Sequence, residues 1–167
     1  ATSYSIVSTP ATTTQTTTNP SSYTFTGLAN GTSYTFTVTS IKALGTGGSA
    51  TSGSITTIPG AVTGLTASGA TSSTVNLAWT GAPSATSYSI VSTPATTTQT
   101  TTNPSSYTFT GLANGTNYTF TVTSVNASGS GGSATSGSIT TTPGAVTDRK
   151  STRLNSGHLG ISYAVFC

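Results

Sequence analysis

The chain repeats itself with a period of 84 residues, and this more than any other feature limits what it can fold into. Ala1-Thr2-Ser3-Tyr4-Ser5-Ile6-Val7-Ser8 returns as Ala85-Thr86-Ser87-Tyr88-Ser89-Ile90-Val91-Ser92. Aligning residues 1–63 with 85–147 leaves six differences: Ser33/Asn117, Ile41/Val125, Lys42/Asn126, Leu44/Ser128, Thr46/Ser130 and Ile58/Thr142. Such near-identity reads as recent duplication within a tandem array. The period is too long for a solenoid unit and suits one small domain with its own core. One whole unit runs from Pro59 to Thr142, so the 167-residue chain holds about one and two-thirds repeats.

Within that unit the apolar residues alternate with polar ones, the period of a half-buried strand. Val75, Leu77 and Trp79 share one face, as do Tyr88 with Ile90, Tyr107 with Phe109, and Tyr118 with Phe120 and Val122. Thr and Ser fill the opposite faces, where a branched Cβ suits the pleated sheet. No 3.6-residue apolar period appears, so helix is not expected. Gly129–Gly132 is glycine-rich and predicts a turn, with Ser133–Thr141 as a last, weak strand.

Three stretches together resemble the fibronectin type III domain. They are Leu65-Thr66-Ala67, Val75-Asn76-Leu77-Ala78-Trp79, and the run from Tyr107 through Leu112 and Gly115 to Tyr118. The resemblance spans residues 1 to about 147 and implies an all-β, immunoglobulin-like sandwich. It implies that Trp79 fills the core. It also implies that Leu112, Gly115 and Tyr118 build a tyrosine corner, with Leu28, Gly31 and Tyr34 as their counterparts. The expected core is Leu65, Val75, Leu77, Trp79, Tyr88, Ile90, Phe109, Leu112, Tyr118, Phe120 and Val122, joined in the partial repeat by Leu28 and Tyr34.

Residue 1 aligns with Ala85, beyond the Trp79 strand, so residues 1–58 are a repeat without its first two strands. Removing one buried Trp or Phe costs about 3–5 kcal/mol, against about 5–15 kcal/mol for a whole domain. Residues 1–58 are therefore not expected to hold a native sandwich alone, and they leave a strand edge open to intermolecular pairing. Residues 59–147 make the complete repeat. The chain opens in mid-pattern and shows no signal peptide, as expected for a fragment of a larger secreted or surface protein.

Residues 148–167 break with what precedes them. The net charge of +3 comes from Lys42, Asp148, Arg149, Lys150 and Arg153, and four of these five lie in that tail. The run from Asp148 to Ser156, then His158, then Ile161–Cys167, resembles the translated constant segments of a short-read sequencing adapter. Leu159 and Gly160 fill the space of its index, and Gly157 stands where the adapter would give Ser. The tail is expected to be non-native, a sequencing artefact, the alternative being a basic terminus for acidic partners.

Without the tail the repeats hold no His, Asp, Glu or Cys. Acid–base catalysis has no titrating group, the many Ser and Thr have no base to activate them, and metals have no ligand set. Gly45–Gly48 and Gly129–Gly132 lack the lysine of a phosphate loop. The expectation is no enzyme, no cofactor and no metal. With no basic patch, nucleic acid is not an expected partner, and no apolar run reaches the ~20 residues of a membrane helix.

Asn30, Asn114, Asn117 and Asn126 begin N-glycosylation tripeptides. Thr12–Thr18 and Thr96–Thr102 read as exposed loop and edge strand, or as an O-glycosylation zone. Tyr23 and Tyr107 are the aromatics placed to be partly exposed, and so the candidates for a ligand surface. The function expected is a structural spacer in a tandem array at the cell surface or outside it, its partners the neighbouring repeats. The alternatives are an adhesive or carbohydrate-binding module, meeting cell-surface or polysaccharide ligands, and a phage virion domain.

Overall fold

The computed structural model describes residues 1–145, and the tail singled out above lies outside them. The described residues are all strand and loop. The first repeat contributes β1 (Ser3–Thr9), β2 (Gln15–Thr17), β3 (Ser33–Lys42), β4 (Gly45–Thr51) and β5 (Ile55–Thr56). They form a single sheet in the order β2-β1-β3-β4, with β5 paired to β3.

The second repeat contributes β6 (Thr63–Ser68), β7 (Val75–Thr80), β8 (Ser87–Thr93), β9 (Gln99–Thr101), β10 (Ser106–Phe109), β11 (Asn117–Asn126), β12 (Gly129–Thr135) and β13 (Ile139–Thr140). These make two sheets. One has the order β10-β7-β6 and the other β12-β11-β8-β9, with β13 on β11. All pairs are antiparallel. The second repeat is thus a sandwich, the family fold expected from the sequence.

The core lies between these two sheets. On β7 the buried and exposed residues alternate strictly, with Val75, Leu77 and Trp79 inward. They meet Tyr88 and Ile90 of β8, Phe120 and Val122 of β11, and Phe109 of β10, all in one buried cluster. The rings of Phe109 and Phe120 lie 5.0 Å apart, and those of Trp79 and Tyr88 5.4 Å, both tilted as aromatic quadrupoles prefer. Leu65 packs against the cluster from its margin, only partly buried. The indole N–H of Trp79 is buried without an acceptor among the described residues, a cost borne by the surrounding apolar burial.

Residues 129–132 are strand, not the turn their glycines predict. The reason is packing. A Cβ at Gly132 would come 2.6 Å from the Cβ of Ala61, and one at Gly131 would strike the carbonyl of Pro59. The glycines keep β12 thin so that the chain entering β6 can lie across it, where Gly132 O accepts from the amide of Val62 at 3.3 Å. The turn falls earlier, at residues 127–128, and Gly129 leaves it with φ +133°.

Candidate functional site

Where the repeats meet, the second one reaches back to the first. The linker leaving β5 is short, and its backbone carbonyls would be bare without partners. Asn126 Nδ2 donates to Thr57 O at 3.0 Å, and Ser128 Oγ donates to Thr56 O. Both donors sit on the turn between β11 and β12. From the loop between β7 and β8, Ser84 Oγ donates to Gly31 O of the first repeat. The linker is also held from both repeats, Gly31 N of the first donating to Ile58 O at 2.7 Å and Gly60 N donating to Pro83 O of the β7–β8 loop at 3.2 Å. Ser124 Oγ, fully buried, holds Gly60 O at 2.7 Å.

Pro83 fits against backbone that carries no side chain. A Cβ on Gly31 would lie 2.6 Å from Pro83 O, and one on Gly60 2.8 Å from Pro83 Cδ. At the matching Gly115, where no repeat follows among the described residues, a Cβ would meet nothing within 4 Å.

Five of the six positions that differ between the repeats belong to this region or to its counterpart. Asn126 and Ser128 replace Lys42 and Leu44, and Ile58 of the linker lies against Gly129 and is replaced by Thr142. Val125 and Ser130 are register partners at the base of the same turn, as are Ile41 and Thr46 in the first repeat. The sequence lists these differences, but their clustering needs the fold. Positions 56–58 and 125–130 are far apart in the chain and meet only because β11 carries its turn over the linker. The first repeat's own turn leaves Lys42 and Leu44 exposed.

The structure places the other candidates apart. Tyr34 and Tyr118 are buried, and each hydroxyl accepts an amide five residues back, Ala29 N at 3.0 Å and Ala113 N at 3.1 Å. The hydroxyl of Tyr88, for which the sequence offers no such role, accepts the amide of Ala82, six residues back, at 3.1 Å. Leu112 is buried while Leu28 is only half-buried. Tyr23 is exposed and donates to Gln15 Oε1 at 2.8 Å. Tyr107 is half-buried and lines a shallow depression with Asn76, Thr101, Asn103 and Thr108. The two tyrosines occupy corresponding positions in different repeats and form no common surface.

Of the glycosylation candidates, Asn126 has its amide committed to the junction. The Thr-rich stretches become the short edge strands β2 and β9 with exposed flanks. Among the described residues no helix is long and apolar enough to cross a membrane, which leaves β-barrels unaddressed.

The family Fibronectin type III domain matches residues 60–142. Among solved structures, the chain is similar to a two-domain fibronectin type III segment of chicken tenascin. Identity there is 20%, over 83% of this chain and 83% of that one, with a TM-score of 0.52, and the likeness is one of fold. The crystal structure of FN3tt matches at 26% identity over 52% of this chain and 97% of its own, TM-score 0.45. A fibronectin type III domain of human collagen XX matches at 32% identity over 51% and 93%, TM-score 0.42. No curated protein matches the sequence.

Proposed function

Because the chain belongs to the fibronectin type III family, whose domains commonly serve as structural or adhesive modules, we propose that it is a non-catalytic spacer. It would belong to a tandem array in a secreted or surface protein, its immediate partners being the repeats before and after it. The observation that carries this reading is the junction. Side chains of the second repeat satisfy the carbonyls of the linker and of the first repeat's Gly31, so the direction of one repeat is passed to the next. A hydroxyl-covered surface whose described residues carry Lys42 as their only charged side chain gives polyelectrolytes nothing to hold.

The test is orientational. Exchanging Asn126 and Ser128 for the residues of the first repeat (N126K, S128L) removes two linker contacts worth about 1 kcal/mol each, using side chains this fold already accepts. In weakly aligned solution, amide dipolar couplings of both repeats should fit one alignment tensor in the parent chain. They should need two of unequal magnitude in the double variant. Two unequal tensors in the parent chain would remove the spacer reading.

A second reading has one observation in its favour. Tyr107 lies beside the side chains of Asn76 and Asn103, an aromatic face with amides such as a sugar ring could use. Glycan-array binding abolished by Tyr107→Ala would support a carbohydrate-binding module, and no binding at high protein concentration would dismiss it.

A further inference from the structure

Asn30 and Gly31 form a turn at the junction, and Asn114 and Gly115 form its counterpart in the second repeat. Both pairs sit in the same hexapeptide, Gly-Leu-Ala-Asn-Gly-Thr, at residues 27–32 and 111–116. An asparagine followed by glycine can modify itself, because no Cβ on the glycine shields its amide nitrogen from the side-chain carbonyl carbon. At this site Gly31 N would attack Asn30 Cγ. The N–Cγ bond forms, the Cγ–Nδ2 bond breaks, and ammonia leaves with the amide proton. Water then opens the cyclic imide. Opening at Cγ gives aspartate, and opening at the backbone carbonyl gives isoaspartate, with the main chain rerouted through the side chain. We infer that Asn30 is such a self-modification site, that docking of the second repeat holds it in check, and that isoaspartate there undoes the junction.

Attack needs the two atoms about 3–3.5 Å apart and correctly aligned, so Gly31 must be free to rotate. Asn30 itself is exposed and open to water. Gly31 is clamped instead. Its N–H donates to Ile58 O at 2.7 Å, its carbonyl accepts from Ser84 Oγ, and Pro83 O lies 2.6 Å from where a Cβ on Gly31 would stand. Two of these three contacts come from the β7–β8 loop of the second repeat. That loop gives up backbone ease to make them. Ala85 N donates to Ala82 O at 3.3 Å, closing a turn with Pro83 second and Ser84 third, and Ser84 has φ +56°. Glycine is favoured at such a third position, and Ser84 is the one non-glycine residue with positive φ among the described residues. The hydroxyl that a glycine would lack is the one that holds Gly31 O.

Isoaspartate would lengthen the backbone by one carbon between position 30 and Gly31. Gly31 could then no longer meet Ile58, Pro83 and Ser84 together, since the first repeat and the linker hold it on one side and the second repeat on the other. The change is covalent, so a junction that opens for long enough would stay open. The inference rests on the contacts at Gly31 and not on what the array is for.

The full chain and its Ser84→Gly variant are aged in warm, mildly alkaline buffer. Peptide mapping by mass spectrometry follows deamidation at both sites and separates isoaspartate from aspartate. The denatured chain is the reference, since the shared hexapeptide gives both asparagines one intrinsic rate. In the folded parent Asn30 should deamidate roughly tenfold more slowly than in the denatured chain. Ser84→Gly, which the turn accepts, should speed Asn30 by about fivefold, the worth of one hydrogen bond. Asn114 in the same molecule should keep its parent rate, which also shows that the second repeat stays folded. The aged chain bearing isoaspartate should then show a shifted Ser84 amide resonance. Asn30→Asp, which adds the charge without lengthening the backbone, should leave that resonance in place. A parent rate at Asn30 equal to the denatured rate would overturn the inference, as would equal Asn30 rates in parent and variant. An unmoved Ser84 resonance in the isoaspartate chain would overturn the claim that the modification undoes the junction. Each of these results can occur while both repeats still share one alignment tensor, so failure here is distinct from failure of the spacer reading.

Discussion

Gly31 and Gly115 hold the same place in the two repeats with the same left-handed backbone, φ +63° and +58°. An alanine at either site meets the same conformational penalty, about 1–2 kcal/mol. Only at Gly31 does the new methyl meet a neighbour, the carbonyl of Pro83. The pair therefore separates backbone strain from junction packing. Gly115→Ala should lower the melting temperature of the second repeat and leave the junction intact. Gly31→Ala should in addition shift the amide resonances of Ser84 and Asn126 and split the common alignment tensor. Equal effects from the two substitutions would mean that the junction contributes nothing beyond the turn. The same logic explains why Asn126 and Ser128 matter as a pair. Each satisfies a linker carbonyl, and neither residue is present at the matching position of the first repeat.

At the scale of elements the two repeats form a natural experiment, because one amino-acid sequence meets two surroundings. Ser106–Phe109 pairs with β7 and is strand; residues 22–25 have the same sequence without that partner and are not. A strand of four residues is stabilised by its neighbours, not by its composition. This marks where sequence reading ends. The alternation of Val75, Leu77 and Trp79 could be read as one inward face because a period of two allows no other reading. The glycines of β12 were misleading, since in isolation they say turn. Only the approach of Pro59 and Ala61 explains why small residues are wanted in a strand. Leu28 and Leu112 show the same limit: their surroundings, not their identity, leave one half-buried and bury the other. The junction was hidden for a different reason. Its members are distant in sequence, and the substitutions that define it looked scattered until β11 brought them to one end of the molecule.

At the scale of the whole molecule, a fold with so few ionisable groups should be indifferent to pH. Residues 1–147 contain no Asp, Glu, His or Cys, the residue types that ordinarily titrate between about pH 3 and 9. Folded and unfolded states then bind the same number of protons, and the slope of stability with pH is zero. The melting temperature of the second repeat should move by less than about 2 °C between pH 4 and 8, and equally little with salt. A fall at acid pH would show that the terminal segment, which holds Asp148 and His158, takes part in the fold. Stability must instead come from the facing of two sheets, and the repeats differ in that respect. The most direct test compares hydrogen exchange of β3 and β11 within one sample. These ten-residue strands differ at three positions, Ser33/Asn117, Ile41/Val125 and Lys42/Asn126, and share strand partners in the same register. With a facing sheet over β11 only, its amides should exchange at least roughly a hundredfold more slowly than those of β3. Equal protection of the amides of Tyr34 and Tyr118 would contradict the account, because strand sequence and pairing alone would then suffice to hold the fold.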